Sequence, residues 1–330
     1  MFVVPQSALE RAHDVIRLAD WVELNLVMDE EAGMSIAQVT GCLAEMPPDD
    51  ARDSEFRYSY ESEDDPSGEL RPGFWEMAEE RAESSFTELT ERAAWLGDSY
   101  PMEIDAETVQ LSEDPPGSDV YRFLMLLRAR QLYPDAIEDD ANVSGRLFES
   151  LVKHALGAYA NTVDRVRFGV AGGYRGSGLP DPLPDAVEAL RRMMHEEPGS
   201  VPSGAEGDYK ADAIAWKPFG DRRPGQLVVI GQATISEGDW TREKVARRWT
   251  DRQPPDSRLI NFLARPVTVV AFPETLSLTP SEVLNGLVYS SIPIDRLRLA
   301  SLLRDSDLPT DLRDEMNSCA SDLGSRLPQQ

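Results

Sequence analysis

The sequence predicts a mixed α/β protein in two parts: an acidic, mostly helical part over residues 1–140, then a central mixed sheet flanked by helices over 141–330. Three observations predict this. Residues 1–140 carry 34 acidic and 10 basic side chains, whereas residues 141–330 carry 25 acidic and 23 basic, so nearly all of the net charge of −26 lies in the first part. Apolar spacing before residue 140 is mostly that of helices, whereas afterwards helical stretches are interleaved with short apolar runs bounded by turn residues. Two of those runs, ADAIAW (211–216) and QLVVIGQ (226–232), flank GDRRPG, whose glycines and proline mark a hairpin turn.

The helices of the first part follow in order. Residues 7–30 place Leu9, Ile16, Leu18, Trp21, Val22, Leu24, Leu26 and Val27 among charges, as one or two helices. Ser35 is placed to cap a short helix through SIAQVTGCLAE. ESEDDPSGE (61–69) is an acidic, turn-rich loop, and Pro72 opens a long amphipathic helix through Trp95 that Gly97 ends. YPMEIDAETVQL is a short extended excursion, and DVYRFLMLLRARQL (119–132) has the continuous apolarity of a buried helix. This part is expected to be an accessory domain with a solvated acidic face, offering a surface for a protein partner.

In the second part, SGRLFESLVKHALGAYA (144–160) is a helix, with Leu147, Phe148, Leu151, Val152, Ala155 and Leu156 at helical spacing. RVRFGV (165–170) is a strand that the glycine-rich AGGYRGSG ends. PDAVEALRRMMHEE (184–197) is a helix, and the hairpin follows. WTREKVARRWTD is a helix capped by Asp239, PVTVVAF (266–272) is a fourth strand, and 281–330 is a largely helical tail.

Composition narrows the function classes. No run approaches the roughly 18 apolar residues that span a bilayer, and MFVVPQSALERAHD lacks the parts of a secretory signal. Cys42 and Cys319 have no zinc-ligand spacing and read as reduced thiols, so a cytoplasmic location is expected. AGGYRGSG lacks GxGxxG spacing, no GxxxxGK(S/T) or GxSxG occurs, and His13, His154 and His195 lie in separate helices. The acidic first part repels a polyanion. The second part tolerates one, and its residues 242–265 hold seven basic groups, Arg242, Arg247 and Arg248 among them, against three acidic ones. Those three arginines are candidate contacts to nucleic-acid phosphates. Lysine is scarce, occurring only as Lys153, Lys210, Lys217 and Lys244.

In an antiparallel pair, residues equidistant from the turn centre face each other. Asp212 and Gln232 are equidistant from position 222, inside GDRRPG, so the pairing brings an acid and an amide together at one end of otherwise apolar strands. Together they offer hard oxygen ligands to a cation, although either residue alone also suits a solvated strand end.

Glu149 in GRLFESLV, Asp212 in ADAIAW and Gln232 in VVIGQAT, with their element types and order, resemble the PD-(D/E)xK, or restriction-endonuclease-like, nuclease superfamily over residues 144–272. That superfamily places an Asp on one strand, a Glu or Gln near the end of the next, and often a further Glu on a preceding helix. The resemblance implies a restriction-endonuclease-like fold with a helical C-terminal tail, and a metal-dependent DNA endonuclease of restriction or phage defence. Glu149, Asp212 and Gln232, with the carbonyl of Ala233, would hold Mg²⁺ or Mn²⁺. One departure stands out: the lysine expected two positions after Gln232 is Thr234. The resemblance then implies Lys244 as the catalytic substitute, with Lys153 and Lys210 as lesser candidates. Thr234 favours a rival, a degenerate nuclease fold that binds DNA or a partner subunit without cutting, which the presence of Glu149 with Asp212 disfavours. A third reading makes residues 1–140 a DNA mimic or a cover for the basic surface. Trp216, Trp240 and Trp249 read as core residues, with Trp240 the one to test for base stacking. A homo-oligomer is compatible with the reading, and no residue pattern specifies one.

Overall fold

The computed structural model describes residues 4, 14–28, 33–44, 74–113, 118–133, 141–171, 173, 175–176, 178–202, 207–235, 247–250, 258–276 and 291–327. The chain divides into two compact units, one of Met1–Glu138 with Ala320–Gln330, the other of Asp139–Cys319. The break after Glu138 falls beside the charge boundary, while the last residues group with the first unit instead of the second. No helix among the described residues is long and apolar enough to cross a membrane.

In the first unit, α1 (Asp14–Met28) leads to β1 (Gly33–Ser35) and α2 (Ile36–Ala44). Ser35 and Gln38 cap α2 reciprocally: Gln38 N donates to Ser35 Oγ at 3.2 Å, and Ser35 N to Gln38 Oε1 at 2.8 Å. The long helix α3 (Phe74–Leu96) ends where Gly97 takes a φ of +54°. A hairpin of β2 (Met102–Ile104) and β3 (Thr108–Leu111) then joins β1 in an antiparallel sheet, and α4 (Ser118–Leu132) follows, buried along most of its length. The expected solvated acidic face misses one feature. Asp20 and Glu23 on α1 are fully buried, because Arg92 of α3 reaches both, at 2.9 and 2.8 Å.

The second unit is a mixed α/β body. Helix α5 (Ala141–Tyr159) precedes β4 (Arg165–Arg167), α6 (Leu183–Met194) and the two-residue β5 (Glu197–Pro198). The hairpin β6 (Ala213–Lys217) and β7 (Leu227–Ala233) follows, then the short helix α7 (Arg247–Thr250), β8 (Ile260–Asn261) and β9 (Val267–Ala271). Last come β10 (Ile292–Ile294), α8 (Arg296–Leu302) and α9 (Thr310–Ser325), which straddles the division between the units. The main sheet has the order β10-β9-β7-β6-β4, in which the β4–β6 and β6–β7 pairs are antiparallel and the β7–β9 and β9–β10 pairs parallel. The hairpin is paired as its symmetry about position 222 requires, from Ala213 opposite Gly231 to Lys217 opposite Leu227. Strand β10 lies inside the stretch expected to be helical tail.

Strand alternation divides the core into two layers. Val166, Phe168, Ile214, Trp216, Val228 and Ile230 pack with α6 residues Leu183, Val187 and Leu190 and with Trp249. Phe168 and Trp249 meet edge to face, with ring centroids 5.3 Å apart. Trp216 and Trp249 are therefore core residues, and Trp240 lies outside the described residues. On the other face α5 packs across β4, β6 and β7. The approach is close at Gly231, where a Cβ would stand 2.8 Å from Leu156 Cδ1.

Candidate active site

Asp212 is fixed by its backbone before its side chain is considered. Its carbonyl accepts from Phe168 N at 2.8 Å and Gly169 N at 2.9 Å, and its own N–H donates to Gly231 O at 2.8 Å. Its carboxylate then does what a ladder carbonyl would do: Oδ2 accepts the N–H of Ala233 at 2.7 Å. The next residue, Thr234, donates its N–H the opposite way, to Ala271 O of β9 at 3.0 Å. Asp212 Oδ2 is thus held at the end of the sheet, in line with the β6–β7 ladder.

Asp212 is 8 % exposed, and its pKa is pushed well above the usual Asp value. Burial is the largest cause, followed by the charges of Asp208 and Glu149. The Ala233 N–H and Lys210 act the other way.

Glu149 enters from α5. Its carboxylate lies against the Cα of Gly169, where an added Cβ would stand 2.4 Å from both Cδ and Oε1. Its Oε2 accepts from Arg167 Nη1 at 2.8 Å, a buried ion pair in which Arg167 also donates to the carbonyl of Ala171 at 3.0 Å. Burial raises the Glu149 pKa most, Arg167 lowers it and Asp208 raises it again.

The structure therefore brings Asp212 to the end of β7 and Glu149 into its electrostatic field. Gln232 is buried at the same strand end, but alternation along β7 sets it on the face of Val228 and Ile230, across the sheet from α5. Thr234, at the position of the expected lysine, is buried as well. Arg242 and Lys244 lie outside the described residues, and Arg247 and Arg248 are described only as the backbone of α7.

Three residues near the site, Arg167, Arg175 and Asp208, escaped the sequence reading, and Lys210 entered it only as a lesser candidate for the missing lysine. Arg167 entered only as part of the strand RVRFGV, and the helix laid over it reveals it as a partner of Glu149. Arg175, in the glycine-rich loop, is buried over the Phe168 ring at 4.4 Å from its centroid. It donates to the carbonyls of Phe168 (2.6 Å), Asp181 (3.2 Å) and Gly207, so it ties the loop after β4 to the loop before β6. Asp208 and Lys210 stand in that second loop, where Lys210 N donates to Asp208 Oδ1 at 2.8 Å. Tyr209 and Lys210 both have left-handed φ, +53° and +63°, which costs of order 1–3 kcal/mol each. Their signal in the sequence, GDYKAD, reads only as a turn.

Two buried carboxylates in one field at the end of a sheet have the hard oxygen donors that a divalent cation takes. Among the described residues, no group of three or more His, Cys, Asp and Glu side chains is placed to hold a metal ion. The anionic part of the candidate set is thus Asp212 with Glu149. No protein-family model, curated protein or solved structure matches the chain.

Proposed function

We propose that the second unit is a metal-dependent nuclease that hydrolyses phosphodiester bonds in DNA, built on a restriction-endonuclease-like sheet and acting as a restriction or phage-defence effector in the cytoplasm. The observation that supports this best is Asp212: a buried carboxylate locked at a sheet end, destabilised in its charged form by two further acids. Such a group gains most from a divalent cation, which would lower its pKa and offset the repulsion from Glu149 and Asp208.

Asp212 would be the central ligand for Mg²⁺ or Mn²⁺, with Glu149 reaching it from the α5 side. The carbonyl of Ala233 would add an oxygen at the strand end, whereas Gln232, set across the sheet from α5, would not reach the same ion as Glu149. A bound divalent cation supplies a water of lowered pKa and stabilises charge on the leaving oxygen. The chain's own contribution is rigidity. Phe168, Gly169, Gly231 and Ala233 hold Asp212 through four hydrogen bonds, so its carboxylate need not reorganise when substrate binds. Lys244 remains the proposed source of positive charge at the attacking water, and Arg242, Arg247 and Arg248 the proposed phosphate contacts. The first unit is proposed to bind a protein partner. Incubating the purified chain with plasmid and linear DNA in Mg²⁺, Mn²⁺ or EDTA tests the reading: cleavage that needs the ion and is lost in Asp212→Asn is the expected result.

A second reading is favoured by the Glu149–Arg167 pair. Arg167 already gives Glu149 a buried counter-charge, and Thr234 cannot supply the missing one. On this reading the unit binds DNA or a partner subunit without cutting it. Metal-independent DNA binding with no cleavage in any ion would select it.

A further inference from the structure

The face of α5 that carries Glu149 continues into a basic strip. Lys153 follows Glu149 by one helical turn, about 6 Å along the axis, and Gly157 follows by another. Both ends of this row are anchored on β4 and its flanks. Glu149 meets Arg167 and Gly169. At Gly157 an added Cβ would stand 2.5 Å from Arg165 Nη1 and 2.6 Å from Arg165 Cδ, so the Arg165 side chain lies along the helix backbone there. Lys153 is thus flanked by two arginines of the edge strand β4. Arg167 is engaged by Glu149, whereas the Arg165 guanidinium has, among the described residues, a long contact with Thr162 O at 3.5 Å. Lys153 has no hydrogen bond or ion pair with any described residue and is half-buried.

The electrostatics agree with this crowding. The Lys153 pKa lies below the usual lysine value, first through burial, then through Arg165 and Arg167, with Asp311 of α9 opposing. His154 beside it is driven down to about 3 by burial, Lys153 and Arg165, with Asp311 again opposing, so it adds no charge near neutrality. Both of its ring nitrogens are buried without a hydrogen-bond partner among the described residues. Lys153 and Arg165 are thus two cationic side chains with no ion pair to a described residue, and Lys153 lies one helical turn along α5 from Glu149.

We infer that Lys153 and Arg165 form a phosphate-binding subsite for a nucleic-acid strand, which takes a backbone phosphodiester next to the one presented at Asp212. This rests on the nuclease reading for its substrate, and it assigns the strand a path over the α5–β4 edge that the basic 242–265 segment did not suggest. A strand carries a charge every few ångströms along its axis, so one helical turn from Glu149 is a spacing that neighbouring phosphates can meet.

With four lysines in the chain, ¹³C-labelled lysine gives a spectrum in which Lys153 can be assigned by Lys153→Arg. The protein is titrated in EDTA with a short DNA duplex, with single-stranded DNA and, separately, with inorganic phosphate. Binding of the same DNAs by Lys153→Gln, Arg165→Gln and the exposed control Lys217→Gln is measured across salt. The expected result is that DNA moves the Lys153 signal and raises its pKa, and that each of the two site variants lowers the slope of log K against log salt by about 1, with Lys217→Gln unchanged. A Lys153 signal indifferent to saturating DNA, or one moved by phosphate and not by DNA, overturns the subsite, as do unchanged slopes in both site variants. Cutting is read separately. A chain that binds through Lys153 but cleaves in no ion overturns the nuclease reading and leaves the subsite standing, whereas cleavage with unchanged binding in Lys153→Gln does the reverse.

Discussion

Ala233 N–H donates to Asp212 Oδ2 at 2.7 Å, so the acid that precedes one strand of the hairpin closes the end of the other. The bond explains how a carboxylate with a strongly raised pKa is held in place, and it gives the first prediction. Because the folded pKa exceeds the unfolded one, the folded state binds the proton more tightly. Stability contributed by this group is present below the usual Asp pKa and is lost as pH rises from there through the raised value. In the absence of divalent metal, Asp212→Asn should therefore flatten the fall in Tm with rising pH and raise Tm near neutrality. Thermal unfolding of both proteins in EDTA at several pH values measures this. A steeper fall in the variant would contradict it.

The Glu149–Arg167 pair is buried, with side chains 9 % and 4 % exposed. Removing one partner leaves an uncompensated charge inside, at about 3–5 kcal/mol. Arg167→Met and Glu149→Gln should each destabilise, Arg167→Met by about that much. The double variant should lose clearly less than the two single losses combined. Denaturant unfolding of all four proteins gives the coupling directly, and strict additivity would mean that the pair contributes no coupling.

Gly169 separates position from presence. A methyl group there would overlap the Glu149 carboxylate, which can swing away because it is the end of a flexible side chain. Gly169→Ala should leave the fold intact by circular dichroism while reducing cleavage as much as Glu149→Ala does. Full activity in Gly169→Ala would show that the seat of Glu149 on Gly169 is immaterial to catalysis.

In the first unit, Arg92 is enclosed by Asp20, Glu23 and Glu88, and Glu23 Oε1 also accepts from Tyr100 Oη at 2.6 Å and Tyr121 Oη at 2.7 Å. Hydrogen bonds to a charged group contribute about 1.5–3 kcal/mol each. Tyr100→Phe and Tyr121→Phe should each cost an amount in that range, and Arg92→Met more, because it strands buried carboxylates. Urea unfolding checks the order; an Arg92→Met protein as stable as the parent would contradict it.

The hairpin was legible because its register rests on local chemistry: a turn at GDRRPG and strands whose polar ends match about position 222. The paired acids and bases were not legible, for a physical reason. Glu149 and Arg167 are 18 residues apart, and Asp20 and Arg92 are 72 apart. A buried charge reads as a surface charge until its partner is brought to it by tertiary packing. Strand β10 was hidden differently. Its sequence Ile-Pro-Ile lacks a donor at Pro293, which suits an edge strand and weakens any strand pattern. At the site, the sequence put Asp212 beside Gln232. It could not indicate that alternation sets Gln232 on the face away from α5, nor that Asp208 would add a third negative charge.

The most direct test of the Asp212-centred metal site is a Mn²⁺ titration followed by electron paramagnetic resonance, on the wild-type chain and on Asp212→Asn. A saturable Mn²⁺ site that Mg²⁺ displaces, abolished in Asp212→Asn and weakened in Glu149→Gln, is the predicted result. A Mn²⁺ site of unchanged affinity in Asp212→Asn, or no saturable site in the wild type, would contradict it.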